Sequence, residues 1–229
     1  MKPIKIISAS PLFHGLEEKY HEDLARIVLN RTFKRSEIIF YEGDEATGFF
    51  VIASGRVKIF KTSPEGKEQI LHIFGRGEPF GEVPVFTGRC FPACAEALSD
   101  TTVLFFPRKD FIAQIKAEPA LALNMLSVLS LRLKRFTALI DDLSLKEVPG
   151  RLAAYLLYLS DRNNDSDELD LDISKGQLAS ILGTIPETLS RILSRMSKEG
   201  VIELDGKRHF MLKDRSALEQ LAQGEKKLA

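Results

Sequence analysis

The chain has 229 residues, of which 44% are hydrophobic and 28% charged, a composition typical of a water-soluble globular protein. Its 32 basic and 32 acidic residues cancel, so bulk charge gives no argument for a nucleic-acid or membrane partner. Two cysteines, Cys90 and Cys94, are too few for a disulfide framework, and no apolar run approaches the roughly 18–20 residues that span a bilayer. We therefore expect a cytoplasmic protein without a signal peptide or a membrane partner.

The first half of the chain has the pattern of an all-β domain. Residues 16–29 predict a short amphipathic helix, and residues 33–111 then alternate short β-branched and aromatic runs with glycine-containing turns. The Ser63-Pro64-Glu65-Gly66 segment is typical of a hairpin turn, because proline presets a turn φ and glycine accepts a positive φ. This block predicts a many-stranded antiparallel sandwich or barrel.

Residues 119–145 predict one long helix, about 40 Å in length. Apolar residues recur along it at alternating steps of three and four, the heptad pattern of a helix–helix interface. This heptad row consists of Leu126, Leu129, Leu133, Phe136, Ile140 and Leu143. A second apolar face is formed by Leu121, Met125, Val128 and Leu131. One face can then pack on the β block while the heptad row meets a second copy of the chain; the alternative is packing within one chain only.

The C-terminal third has the pattern of a helix-turn-helix followed by a hairpin. Val148-Pro149-Gly150 ends the long helix pattern, residues 151–160 predict another helix, and residues 161–172 predict a solvated acidic loop leading into a short strand. Ser174 can cap a helix over residues 175–182. Gly183 then allows a tight turn, and Thr184-Ile185-Pro186-Glu187 begins a second helix.

The second helix and the hairpin after it favour DNA binding. Leu189, Ile192, Leu193 and Met196 predict its buried face, and residues 201–213 predict a hairpin wing with Asp205-Gly206 at the turn. Residues 175–215 contain eight Lys or Arg against five Asp or Glu, which suits a surface that faces phosphates. The candidate DNA contacts are Ser174, Lys175, Thr184, Glu187, Thr188, Ser190, Arg191 and Lys207. The alternative is a helix pair that contacts protein.

The order of β block, heptad helix, helix-turn-helix and wing closely resembles the CRP/FNR family of bacterial transcription regulators, over nearly the whole chain. The motifs are SGRVKIF (54–60), PEGKEQIL (64–71), Phe80-Gly81-Glu82 and GTIPETLSR (183–191). The resemblance implies an α+β fold with a cyclic-nucleotide-binding-like β jelly roll (1–118), a dimerisation helix (119–146) and a winged helix-turn-helix (147–229). It also implies a homodimer, and RNA polymerase contact through the 63–69 hairpin, which is otherwise an ordinary surface turn.

The candidate effector pocket, Gly81, Glu82 and Arg89, departs from the cyclic-AMP-binding members of that family. Their phosphate cassette resembles Gly-Glu followed further along by Arg-Ser-Ala, whereas this chain has Phe91-Pro92-Ala93. Proline and alanine supply neither the guanidinium nor the hydroxyl that a phosphate needs, and Arg89 lies earlier in the loop. We therefore predict no response to cyclic AMP. Glu82 is then either a ligand contact or a structural carboxylate that bonds loop amides.

The resemblance leaves the sensed signal open. Oxygen-sensing FNR members hold an iron–sulfur cluster with cysteines mostly near the N-terminus, where this chain has none, so that cofactor is not expected. The CFPACAEAL stretch (90–98) resembles the branch that responds to nitric oxide and nitrosative stress, some members of which are thought to use haem. His14, His21, His72 and His209 are possible haem ligands, and no other metal site is predicted. Cys90 and Cys94 are either a redox pair or free small hydrophobic residues.

The second helix also resembles the E-x-x-S-R core of the FNR-type recognition helix through Glu187, Ser190 and Arg191. Glu187 and Arg191 are four residues apart and project from one helix face. Arg191 can donate to guanine, Glu187 can accept from a cytosine amino group, and Ser190 can meet a thymine. Cyclic-AMP-type members carry an arginine immediately before the glutamate, where this chain has Pro186. The alternative for Glu187 and Arg191 is a surface salt bridge.

Two further classes of function are alternatives to a DNA-binding regulator. An enzyme is not expected, because neither a nucleophile–base pair nor a metal-ligand spacing is present in the sequence. An adaptor whose C-terminal domain contacts protein rather than DNA has the same domain order. The sequence therefore favours a homodimeric, effector-controlled regulator with a palindromic FNR-like operator.

Overall fold

The computed structural model describes residues 3–88, 90–171, 173–206 and 208–228. The chain divides into two compact units, an N-terminal unit over residues 1–133 and a C-terminal unit over residues 134–229. The division falls inside one long helix, which gives its first half to the N-terminal unit and its second half to the C-terminal unit.

The N-terminal unit is the antiparallel sandwich that the sequence predicts. One sheet has the strand order β1-β8-β3-β6 and the other has the order β2-β7-β4-β5. The strands are β1 (Leu29–Phe33), β2 (Ile38–Phe40), β3 (Gly48–Ser54), β4 (Val57–Thr62), β5 (Glu68–Phe74), β6 (Pro79–Phe80), β7 (Cys94–Ala97) and β8 (Thr101–Pro107). The helices are α1 (Pro3–Ala9), α2 (Glu18–Ile27), α3 (Val83–Thr87), α4 (Arg108–Ala117) and the first half of α5 (Ala120–Leu145), with a 3-10 turn at Pro11–Phe13.

Two hydrophobic clusters lie on opposite faces of the β1-β8-β3-β6 sheet. Phe50 and Ile52 of β3 belong to one cluster, called here the aromatic cluster. Phe49 and Val51 belong to the other, called here the helix-side cluster because it includes residues of the helices. Because successive strand residues point to opposite faces, β3 is apolar along its length instead of alternating. The six phenylalanines of the aromatic cluster are Phe40, Phe50, Phe74, Phe80, Phe91 and Phe105.

The start of the chain differs from the sequence prediction. The predicted helix over residues 16–29 ends at Ile27, and β1 begins at Leu29, before the predicted start of the β block. Ahead of it, α1 and the 3-10 turn bury Ile7 and Phe13 in the helix-side cluster. The sequence predicts no element there, because such short segments contain no complete hydrophobic repeat and are stabilised by the surface that they cover.

The long helix α5 has the predicted extent, but one residue assigned to its inward face, Leu131, is exposed. Leu121 and Met125 are buried and Val128 is partly buried against the helix-side cluster, as expected for the second apolar face. Leu131, which was assigned to that face, is 67% exposed. Helical steps of four, three and four from Leu121 lead to position 132, so Arg132 and not Leu131 continues the inward stripe.

The C-terminal unit contains the predicted helix-turn-helix and wing. Its elements are the second half of α5, α6 (Val148–Arg162), β9 (Glu168–Asp170), α7 (Lys175–Ile181), α8 (Pro186–Lys198), β10 (Ile202–Asp205), β11 (His209–Leu212) and α9 (Arg215–Gln223). The strands form one antiparallel sheet of order β10-β11-β9. Val148-Pro149-Gly150, predicted as a break, is instead the first turn of α6. Proline is tolerated there because backbone amides in the first turn of a helix have no acceptor within the helix.

Candidate functional site

The helix α7 begins with a complete capping box. The Ser174 hydroxyl accepts a hydrogen bond from the Gln177 amide at 3.2 Å, and the Gln177 side chain accepts one from the Ser174 amide at 2.8 Å. Both bonds satisfy backbone donors at a helix start. Ser174 was proposed as a DNA contact; its hydroxyl oxygen is used for the cap. Lys175, next along the chain, is half-buried.

The turn between α7 and α8 follows the predicted geometry. Gly183 has φ +64, a conformation that favours glycine, and the Thr184 amide donates to the Ala179 carbonyl at 2.9 Å. Arg151 of α6 donates to the Leu182 carbonyl at 2.7 Å and so ties α6 to this turn. Arg151 was not predicted, because the first turn of a helix in isolation does not show which later carbonyl its side chain reaches.

The helix α8 has one buried face and one exposed polar face, as predicted. Leu189, Ile192, Leu193 and Met196 are all buried. Glu187, Ser190 and Arg191 are exposed, and Thr188 is half-buried. The Arg191 guanidinium donates to the Thr188 hydroxyl at 3.3 Å, and among the described residues no ion pair joins Glu187 to Arg191.

The hairpin after α8 has the predicted form of a wing. Strand β10 pairs with β11, with Asp205 opposite His209, and β11 pairs in turn with β9, with His209 opposite Asp170. His209 Nδ1 lies 2.9 Å from an Asp170 carboxylate oxygen, and this hydrogen bond raises the pKa of His209 above 6.5. Lys207, a proposed DNA contact at the hairpin turn, lies outside the described residues.

The C-terminal segment contacts helix α8, a contact that the sequence does not predict. Arg195 of α8 donates to the Leu228 carbonyl at 2.5 Å. Helix α9 packs beside α6, where a Cβ at Gly150 would lie 2.8 Å from the Leu221 carbonyl oxygen. The sequence of α9 is amphipathic, so its periodicity could have identified it.

The candidate effector pocket contains a buried ion pair. The Glu82 carboxylate is buried and accepts a hydrogen bond from the Arg132 guanidinium, which also donates to the Pro79 carbonyl. The guanidinium carbon lies 4.6 Å from the centre of the Phe74 ring. Of the two alternatives for Glu82, a ligand contact or a structural carboxylate, the structure shows a structural contact, made with a side chain of α5 and not with loop amides. Arg89 lies outside the described residues.

Gly81 lies at the same place against two aromatic rings. A Cβ at position 81 would be 3.1 Å from the Phe91 ring and 3.3 Å from the Phe40 ring. These two rings stack with their centres 3.7 Å apart. Phe91 is thus buried in the aromatic cluster, at the start of the segment that replaces the phosphate-binding Arg-Ser-Ala of the resembled family.

The heptad row of α5 is largely exposed in the single chain. Four of its members are exposed in the single chain, with exposed fractions of 59% for Leu126, 69% for Leu133, 42% for Phe136 and 62% for Ile140. Leu143 is half-buried, and Leu129 packs partly against the helix-side cluster.

The four histidines lie on separate elements. His21 Nε2 is 3.0 Å from the Phe13 carbonyl oxygen, the His72 ring packs against Phe74 at 4.2 Å, and His209 pairs with Asp170. His14 follows the 3-10 turn. Within the described ranges, no group of three or more His, Cys, Asp or Glu is placed to hold a metal ion. The four histidines do not come together at one candidate haem site.

Two domain profiles and a full-length relative establish the family. Residues 30–118 match the cyclic nucleotide-binding domain, and residues 150–221 match the Crp-like helix-turn-helix domain. The cyclic AMP receptor protein of Thermus thermophilus is 33% identical over 218 residues, covering 95% of this chain and 99% of the relative. The chain belongs to the CRP/FNR family of transcription regulators.

Other CRP/FNR proteins also align with most of the chain. The fumarate and nitrate reduction regulatory protein of Escherichia coli K12 is 29% identical over 196 residues, covering 84% of this chain and 78% of the relative. The structure of a CooA mutant from Carboxydothermus hydrogenoformans superimposes with a TM-score of 0.77 at 26% identity, covering 91% and 92% of the two chains.

The CRP/FNR assignment confirms the predicted fold class and DNA binding by the helix-turn-helix domain. Members of the family act as dimers. No helix in the described part of this chain is long and apolar enough to cross a membrane.

Proposed function

We propose that this CRP/FNR protein is a cytoplasmic homodimer that reads a two-fold symmetric operator with TTGA-like half-sites. The observation that carries the proposal is the exposed face of α8, on which Glu187, Ser190 and Arg191 lie together. Arg191 is bonded only weakly, to Thr188 at 3.3 Å, so its guanidinium is available for a base edge. Half-site centres about one helical turn apart follow from a two-fold dimer.

Each exposed side chain of this face suits a different base. The Arg191 guanidinium can donate two hydrogen bonds to guanine O6 and N7, and the Glu187 carboxylate can accept from a cytosine amino group. Ser190 lies on the adjacent flank, where it can meet a thymine. Pro186 is exposed at the start of α8 and has no donor for a further base. The operator should therefore lack the additional guanine that an arginine at position 186 would select.

Operator selection from a random DNA pool tests this assignment. We expect Arg191→Ala to lose about 1–3 kcal/mol per half-site and to relax the choice at the guanine. Lys175→Ala should instead weaken binding to all sequences alike and lower the salt dependence. Arg26→Ala removes an exposed arginine of α2 and is the matched control. It should change neither the base preference nor the salt dependence of binding. Half-sites without the G·C pair, or an unchanged preference in Arg191→Ala, would contradict the assignment.

The C-terminal domain could instead serve an adaptor that contacts protein. The exposed polar face of α8 and the local excess of basic residues favour DNA, since a protein interface concentrates apolar groups at its centre. A gel shift with a symmetric operator distinguishes the two. Absence of a shift at low salt would favour the adaptor.

We further propose that the β roll senses a nitrosative or redox signal and not cyclic AMP. Phe91 is buried on Phe40 at the cassette position, and Glu82 is already paired with Arg132. Cys90 is exposed and accessible to modification. This proposal separates the chain from its Thermus relative, which is named for cyclic AMP.

Two measurements decide the nature of the signal. Calorimetric titration should show no heat of binding with cyclic AMP, and micromolar or tighter binding would overturn that part. Absorption spectra of protein purified with haem supplementation, with and without nitric oxide, test haem directly; a flat spectrum would eliminate it. Cys90→Ser should abolish a nitrosative effect on operator binding if the thiol is the sensor.

The 63–69 hairpin is proposed to contact RNA polymerase. It projects between β4 and β5, and its turn is ordered by a bond from the Gly66 amide to the Ser63 carbonyl at 2.9 Å. Glu65 and Lys67 are exposed there. Substitution of both by alanine should reduce transcription while operator binding is retained. Unchanged transcription would make the hairpin an ordinary surface turn.

A further inference from the structure

One face of α5 contacts the N-terminal unit through residues spaced four, three and four apart. Leu121 and Met125 are buried and Val128 is partly buried in the helix-side cluster. Arg132 occupies the next position of this stripe, so the last inward contact of the stripe within the N-terminal unit is made by a cation.

Arg132 has three partners from three places in the β roll. Its guanidinium donates to the Glu82 carboxylate before α3 and to the Pro79 carbonyl of β6, and it lies over the Phe74 ring of β5. The exposed fractions of the Glu82 and Arg132 side chains are 4% and 19%. A carboxylate this buried is costly to leave without a cation, and the planar guanidinium satisfies several directions at once.

The residue next to Arg132, Leu133, belongs to the exposed part of the heptad row. Leu133 is 69% exposed, whereas Arg132 points into the roll. Since neighbouring residues on a helix differ by about 100° in direction, fixing Arg132 also fixes the direction of Leu133 and of Leu126, two turns earlier.

We propose that the Arg132–Glu82 pair is a positioning contact that sets the rotation of α5 on the roll and thereby presents the heptad row to a second copy of the chain. The pair is complete within one chain, so this docking of α5 needs no bound molecule. The proposal rests on the proposed homodimer, and Arg132 acts through Leu126 and Leu133 and not by contacting the partner itself.

Three variants test the pair: Glu82→Gln, Arg132→Met and their double combination. Two readouts apply, the dimer dissociation constant from sedimentation and amide hydrogen exchange over residues 126–136. Each single variant should weaken the dimer by about tenfold and speed exchange, and the double variant should be no worse than either single one, because coupled residues are not additive. Arg132→Lys should recover part of the loss. Lys61→Met, which removes an exposed ion pair with Glu42, should change neither readout.

Folded variants with a wild-type dimer constant and wild-type exchange would overturn the proposal, even if their melting temperature fell. If the single variants do not fold, the double variant, in which no buried charge is left unpaired, is measured instead. A weaker dimer there supports the proposal, and an unchanged one overturns it. A wild-type chain that stays monomeric contradicts the proposed homodimer; hydrogen exchange then decides the role of the pair by itself.

Discussion

A side-chain hydrogen bond between His209 and Asp170 joins the wing to the neighbouring strand. Their hydrogen bond raises the pKa of His209 above 6.5. Because the folded pKa is raised, the stabilisation is fully present below the unfolded pKa and is lost as pH rises through the folded pKa. The sheet of the wing should therefore be held more firmly in mildly acidic solution than above neutrality.

Asp170→Asn tests this contact. The substitution should lower the pKa of His209 toward 6.5, because the hydrogen bond to the carboxylate is its largest cause. An NMR titration of the imidazole protons measures it. Asp167→Asn, which removes a nearby carboxylate that lies beside Arg215, is the control and should leave the pKa of His209 in place. An unchanged titration in Asp170→Asn would contradict the assignment.

Single residues also show where prediction from sequence ends. Ser174 and Gly183 were assigned correctly, since a cap and a turn depend on their own backbone. Arg132 and Arg151 were missed, because their partners lie 50 and 31 residues away along the chain. Continuing the inward stripe of α5 by one step would have identified Arg132, whereas no local pattern points to Arg151.

At the scale of the element, the capping box of α7 supports the first helix of the helix-turn-helix. Ser174→Ala should lower the free energy of unfolding by about 1 kcal/mol, as for other caps, because the Gln177 amide loses its acceptor. Urea denaturation followed by circular dichroism measures the change. Ser197→Ala, at an exposed position of α8, is the control and should be nearly neutral.

The heptad row of α5 gives the second prediction at this scale. Leu133→Asp would place like charges opposite each other in a dry interface, where their desolvation is not offset. We expect monomers in sedimentation and loss of operator binding. Leu123→Asp is a matched control, since Leu123 is 68% exposed but lies outside the row. A Leu133→Asp dimer of unchanged affinity would mean that α5 packs only within its own chain.

The elements differ in how well the sequence predicted them. Helix α8 was predicted with its buried face complete, because one side of it is apolar at helical spacing and the other is polar. The sequence predicts β3 as a strand, but it does not predict that both faces of the strand are covered. A continuous apolar run does not show what packs on each side. Helix α1 has seven residues, too few to show a complete hydrophobic repeat, and it buries Ile6 and Ile7 in the helix-side cluster.

Across the whole molecule, the order of β block, long helix, helix-turn-helix and wing was predictable, because glycine, proline or a cap marks several of the boundaries between them. The sequence predicts a separate helical segment over residues 119–146, and the structure divides the chain into its two compact units within that helix, at residue 133. A continuous helix has no compositional break where its packing partners change. The position of that change is a property of the three-dimensional contacts alone.

The join between α5 and α6 has a practical consequence for protease digestion. Only Lys146 and Glu147 separate the two helices, which leaves a protease little extended chain to bind. The turn over residues 163–167 is a better substrate, with positive φ at Asn164 and Asp165. The ion pair between Arg215 and Asp161 and the packing of α9 beside α6 join the fragments on the two sides of such a cut. Brief digestion should thus yield two bands on a denaturing gel, while the cut protein still elutes as a single peak in size-exclusion chromatography.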